Sequence, residues 1–100
     1  MLILTAKLRA RPGCRQLLID LAEGAIGPSR SEEGCIAYEF YQDPFEQDCF
    51  LFFEKWRSME DLLVHFEEPH FMDFVRKSLE LVDGTTSLVR YEVMDESRIQ

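Results

Sequence analysis

The chain has 100 residues, enough for one hydrophobic core and not for two. A hydrophobic content of 46% and an aromatic content of 12% mark a folded protein, and eight Phe, three Tyr and one Trp can either fill a core or line a cavity. With 19 acidic against 11 basic residues the formal net charge is −8, a surface that repels phosphate backbones and anionic lipid heads, so neither nucleic acid nor a membrane is expected as a partner.

Leu2 to Arg9 alternates, with Leu2, Leu4, Ala6 and Leu8 on one face and Ile3, Thr5, Lys7 and Arg9 on the other, the period of a strand. Arg11-Pro12-Gly13 punctuates it. From Cys14 the period becomes helical, with Leu17, Leu18, Leu21, Ala22 and Ala25 on one stripe. Gly24, Gly27 and Pro28 predict an end or a kink near Gly27, with room for a further turn over Ser29 to Glu33 before Gly34.

Cys35 to Gln42 and Cys49 to Trp56, rich in aromatic and branched residues, read as a hairpin across the turn Asp43 to Asp48. Ser58 can cap a short helix that Asp61 supports and whose stripe is Met59, Leu62, Leu63 and Phe66. Pro69 opens another helix, carried by Phe71, Phe74, Val75, Ser78, Leu79 and Val82 and closed by Gly84. Leu88 to Met94 is the last strand, and residues 95–100 form a polar tail on a single domain spanning 1–100. The order predicts an α+β chain, β-α-β-β-α-β, with a four-stranded antiparallel sheet.

The middle strands are apolar on both faces. Ile36, Tyr38 and Phe40 oppose Cys35, Ala37 and Tyr41, and Phe50, Phe52 and Trp56 oppose Leu51 and Phe53. A sheet covered on one side only should alternate apolar with polar residues, so a second cover is required, and a second copy of the chain is the simplest one.

No stretch reaches the roughly 18 apolar residues of a membrane span, and Met1 to Ala10 lacks a signal-peptide block, which makes the cytoplasm the expected location. Cys14, Cys35 and Cys49 are odd in number and widely spaced, which predicts reduced thiols and neither a disulfide scaffold nor a zinc site. No glycine-rich phosphate loop and no G-x-S-x-G element occurs.

Glu33-Gly34-Cys35-Ile36-Ala37-Tyr38-Glu39 followed by Asp43-Pro44, Glu54-Lys55-Trp56, Leu62-Leu63-Val64-His65 and Pro69-His70-Phe71 stand in the order of the motifs of the antibiotic biosynthesis monooxygenase family. With the opening strand ending in Pro12-Gly13, the chain resembles that family over nearly its whole length. The resemblance implies a ferredoxin-like fold, paired as a dimeric α+β barrel with the sheets face to face. It further implies cofactor-independent oxygenation of a small quinol, phenol or other aromatic molecule, with oxygen as co-substrate and no metal. Glu33 stands where the family often has Pro, and Thr5 lies near where the haem-degrading branch has Asn, which speaks against haem degradation.

Such chemistry needs a general base, a polar partner for the oxyanion and a dry aromatic cavity. His65 is the first choice for the base, since an imidazole titrates near neutrality, and a structural, carbonyl-bonded histidine is the plain alternative. His70 could contact a ligand or sit on the surface, and two histidines without a flanking acid are a weak metal signal. Glu54 shares a strand face with Phe50, Phe52 and Trp56, so it needs either a nearby arginine or a raised pKa and an acid–base role. Trp56 could stack on a planar substrate or fill the core. Tyr38, Phe71 and Phe74 are candidate pocket walls, and Arg90 could meet an oxyanion or pair with Glu54. The rival functions are a non-oxidative isomerase or carbonyl-detoxifying enzyme on the same fold, and a small-ligand binding module.

Overall fold

Alternation in Leu2–Arg9 is strict enough to decide the architecture, because every second residue must leave water on the same side. The computed structural model describes residues 1–100 and places β1 (Leu2–Arg9), α1 (Arg15–Arg30), β2 (Cys35–Gln42), β3 (Cys49–Trp56), α2 (Met59–Glu67), α3 (Pro69–Ser78) and β4 (Ser87–Glu92) along the chain. The strands form one sheet in the order β2-β3-β1-β4, with every neighbouring pair antiparallel. This is the ferredoxin-like α+β fold expected from the sequence.

The helices lie on one face of the sheet. There Leu2, Leu4, Ala6 and Leu8 of β1 join Phe50, Phe52 and Trp56 of β3, Tyr38 of β2, Leu18 and Ala22 of α1, and Leu62 of α2 in the core. The other face has no helix and carries Leu51 and Phe53, half-buried, with Tyr41, Val89 and Tyr91 more open to solvent.

One alternative left open by the sequence is decided and three expectations are corrected. Helix α1 does not end at Gly27 but continues through Pro28 to Arg30. The hydrogen bond lost at Pro28 lies near the helix end, where Ser31 Oγ donates to the Gly27 carbonyl and the Arg30 Nε–H donates to the Tyr38 carbonyl, tying that end down. In β2 the register shifts between Cys35 and Ala37, so Ile36 bulges out at 55% exposure while Cys35 packs against the core. Helix α3 stops at Ser78, and Val82 instead bridges Ala10 at the end of β1. The last strand is Ser87–Glu92 and buries none of its side chains. No helix is long and apolar enough to cross a membrane.

Candidate active site

The site is built where the end of β3, the C-terminal turn of α2, the first turn of α3 and the chain after α1 meet. On β3, alternation delivers Glu54 to the same covered face as Trp56. The Trp56 indole N–H donates to Glu54 Oε1 at 3.0 Å. Glu54 is only 4% exposed, and burial pushes its carboxyl up to about 7 against the opposing effect of the indole bond. The expected arginine partner is absent from its surroundings. Arg90 lies on the outer strand β4, with Nη1 3.6 Å from Met59 Sδ, and does not reach Glu54. The physical reason is the strand order: β1 separates β4 from β3.

Helix α2 aims His65 at this carboxylate. Ser58 accepts the Asp61 amide at 3.2 Å, and Arg57 forks onto the Asp61 carboxylate at 2.8 and 2.9 Å, fixing the helix start. Gly34 lies against that start, and a Cβ there would collide with the Asp61 side chain, so the loop carrying Glu32 and Glu33 can approach only because residue 34 is glycine. At the other end of α2, His65 is 1% exposed. Its ring lies 4.5 Å from Trp56, 4.9 Å from Phe71 and 5.6 Å from Tyr38, centroid to centroid.

The residue missed by sequence reasoning is Glu32. Its Oε2 lies 2.6 Å from His65 Nδ1 and 2.7 Å from His70 Nε2, so one carboxylate oxygen serves both imidazoles. The acid judged lacking beside the two histidines therefore comes from the turn after α1, 33 residues before His65. Glu68, in extended conformation between α2 and α3, turns the chain so that His65 and His70 point to the same acid. The only sequence signal was position: Glu32 directly precedes Glu33-Gly34-Cys35, the first quoted motif.

Burial pushes the His65 pKa down, with the Glu32 hydrogen bond opposing it, so a neutral ring is favoured near pH 7. With Nδ1–H directed to Glu32, Nε2 carries a lone pair. That nitrogen is buried without a hydrogen-bond partner, and Glu54 Oε1 stands 4.0 Å from it. The arrangement of a base, an acid that orients it and a second buried carboxyl is one that can take up and pass on a proton. Burial also raises the Tyr38 hydroxyl above its usual range, so it stays protonated.

His65, Glu54, Trp56, Tyr38, Phe71 and His70 are thus brought together. Phe74 stands one step away, edge-on to Phe52 at 5.4 Å, and Arg90 is outside the cluster. The open hollow expected beside the imidazole is instead filled by these rings. A hollow of about 640 Å³ lies at the other end of β1 and β3 around Lys7, Arg9 and Leu51. A second, about 200 Å³, opens between α1 and α3 and touches His70 and Phe74 but neither His65 nor Trp56. Cys14, Cys35 and Cys49 are free thiols, as expected.

Fold and cluster together define a small α+β domain that holds a buried histidine in an aromatic enclosure. The family model described as "Antibiotic biosynthesis monooxygenase" matches residues 1–77, and the chain belongs to that family. It is 30% identical to the Bacillus subtilis protein named "Putative monooxygenase YcnE", over 95% of this chain and all of that one. It is 37% identical to the Synechocystis protein sll1783 over 94% of this chain, and spans 64% of that protein's length. The solved structure of Rv0793 from Mycobacterium tuberculosis superposes with a TM-score of 0.91 at 27% identity, covering 97% of this chain and 98% of the other.

Proposed function

We propose that this chain is a cytoplasmic, cofactor-independent monooxygenase acting on a small quinol, phenol or other aromatic molecule, and that it works as a homodimer. The observation that carries the reading is His65: Glu32 holds Nδ1, while Nε2 is buried, unpartnered and ringed by aromatic side chains. Membership of the family supports the reaction class. In this reading Nε2 takes the hydroxyl proton of the substrate, and the substrate anion donates an electron to oxygen. One oxygen atom enters the product and the other leaves as water, with the electrons supplied by the substrate.

The enclosure must open to admit a planar molecule. Helix α3 buries none of its side chains fully, yet its first turn carries His70 and Phe71, the outer wall of the cluster. Outward displacement of that turn exposes His65 and Trp56 while leaving the sheet intact. Trp56, Tyr38, Phe71 and Phe74 then serve as stacking walls, and Glu54 as a neighbouring acid.

The dimer reading rests on the sheet face without helices. Leu51 and Phe53 lie on it beside Val89 and Tyr91, which are 40% and 51% exposed, and packing against the same face of a second copy buries them. Oxygen uptake recorded with a panel of reduced quinones and phenols tests the function. Uptake that scales with enzyme and is lost in His65→Gln is expected. Uptake no faster than the buffer blank across the panel overturns the reading, and equal turnover under argon replaces it with a non-oxidative one.

A further inference from the structure

We propose that Glu32, His65 and His70 form a binding site for a divalent first-row transition metal, of the class of Zn²⁺, Co²⁺ and Fe²⁺. One ligand atom from each lies within 4.8 Å of the others: Nδ1 of His65, Nε2 of His70 and a carboxylate oxygen of Glu32. Two imidazoles and a carboxylate are the donor set these cations prefer, whereas Mg²⁺ and Ca²⁺ favour oxygen ligands alone. The hydrogen-bonded separations of 2.6 and 2.7 Å describe a closed form in which protons stand between the groups. Metal–ligand bonds of about 2.0–2.1 Å require ligand atoms roughly 3.0–3.4 Å apart, so the carboxylate moves by less than about 1 Å as the two ring nitrogens draw in.

Two further observations point to a ligand at this place. Glu32 Oε1 is buried without a hydrogen-bond partner on a side chain only 10% exposed, leaving a second oxygen free to join the first on a cation. His65 Nε2 is also without a partner, and the Glu54 carboxylate lies 4.0 Å from it. If Nδ1 binds a metal, the ring proton resides on Nε2 and faces that carboxylate, the arrangement that commonly orients a ligating histidine. In the protonated cluster neither atom has a hydrogen-bond partner, and a bound cation would engage the Glu32 oxygen directly. Of the three ligands, His70 also lines the hollow of about 200 Å³ between α1 and α3, with Asp20 and Asp73 on its rim.

This inference stands on the geometry of the cluster and concerns a form distinct from the metal-free one in which Nε2 is a base, since ligation at Nδ1 leaves the ring proton on Nε2. The chain reports on the site directly, because its single tryptophan, Trp56, lies 4.5 Å from the His65 ring. Titrating chelator-treated protein with Co²⁺ at neutral pH should give saturable quenching of Trp56 fluorescence at one ion per chain, reversed by excess Zn²⁺ and not produced by millimolar Mg²⁺. Glu32→Gln and His70→Ala should each weaken Co²⁺ binding by about tenfold or more. His70 lies at the rim of the cluster with its side chain 21% exposed, so His70→Ala tests the site even where a change at buried His65 would unfold the chain. Absence of saturable quenching at millimolar Co²⁺, or unchanged affinity in both variants, overturns the proposal.

Discussion

The two faces of the sheet are made from the same strands and differ in almost everything else. On β3, Phe52 is 3% exposed and packs under the helices, whereas its neighbour Phe53 points the other way and stays half-buried. The covered face encloses polar groups that cannot be hydrated, Glu54 and His65, and so perturbs their chemistry. The uncovered face holds apolar groups that are not yet dry. The proposed chemistry uses the first face, where burial shifts the pKa of Glu54 and His65, and the proposed association uses the second, where aromatic side chains stay half-exposed.

The largest test of this contrast is catalytic. His65→Gln keeps a polar side chain of similar size but removes the basic nitrogen, and turnover of a responsive quinol should fall by about 10²–10⁴-fold, read as initial oxygen uptake. Next comes the pair on β3. Phe52→Ala should lose about 3–5 kcal/mol in urea unfolding at any protein concentration. Phe53→Ala should lose stability mainly at concentrations where the protein associates, and light scattering should show the variant dissociating at higher concentration than the parent. Equal, concentration-independent losses for both would erase the distinction between the faces.

Glu54→Gln gives a pH-dependent effect on the covered face. The folded carboxyl sits at about 7 against an ordinary 4.5, so the folded chain binds a proton that the unfolded chain has released between those values. Stability attributable to Glu54 is intact below about pH 4.5, falls as pH rises through 7 and is fully lost above it. The variant, which still offers an oxygen to Trp56, should therefore exceed the parent at pH 8–9 by on the order of 3 kcal/mol and match it near pH 4, as read from melting curves. The smallest effect concerns the support that aims His65: Ser58→Ala should cost about 1 kcal/mol by removing the cap of α2, with only a modest change in turnover.

The elements were largely legible in the sequence because each has a local cause. Period two in Leu2–Arg9, the Ser58 cap and Pro69 at a helix start act within a few residues, and the structure places β1, α2 and the start of α3 there. Local reasoning was less successful at Pro28 and Ile36. A side-chain bond from Arg30 to the Tyr38 carbonyl on the following strand supports the end of α1 there, and a bulge re-phases β2. His65, Glu54, Trp56, Tyr38, Phe71 and His70 were recognisable as candidates by residue type, and they do converge. What the sequence did not reveal was that Arg90 is kept away by an intervening strand and that the enclosure is packed with rings.

By itself, the sequence determined the order of strands and helices and the two-sided apolar character of the sheet, since periodicity is written residue by residue. The tertiary structure alone decided that Glu32 joins His65 and His70. Their meeting depends on where a turn after one helix stops relative to a corner between two others, a distance fixed by packing across the core and not by any spacing along the chain.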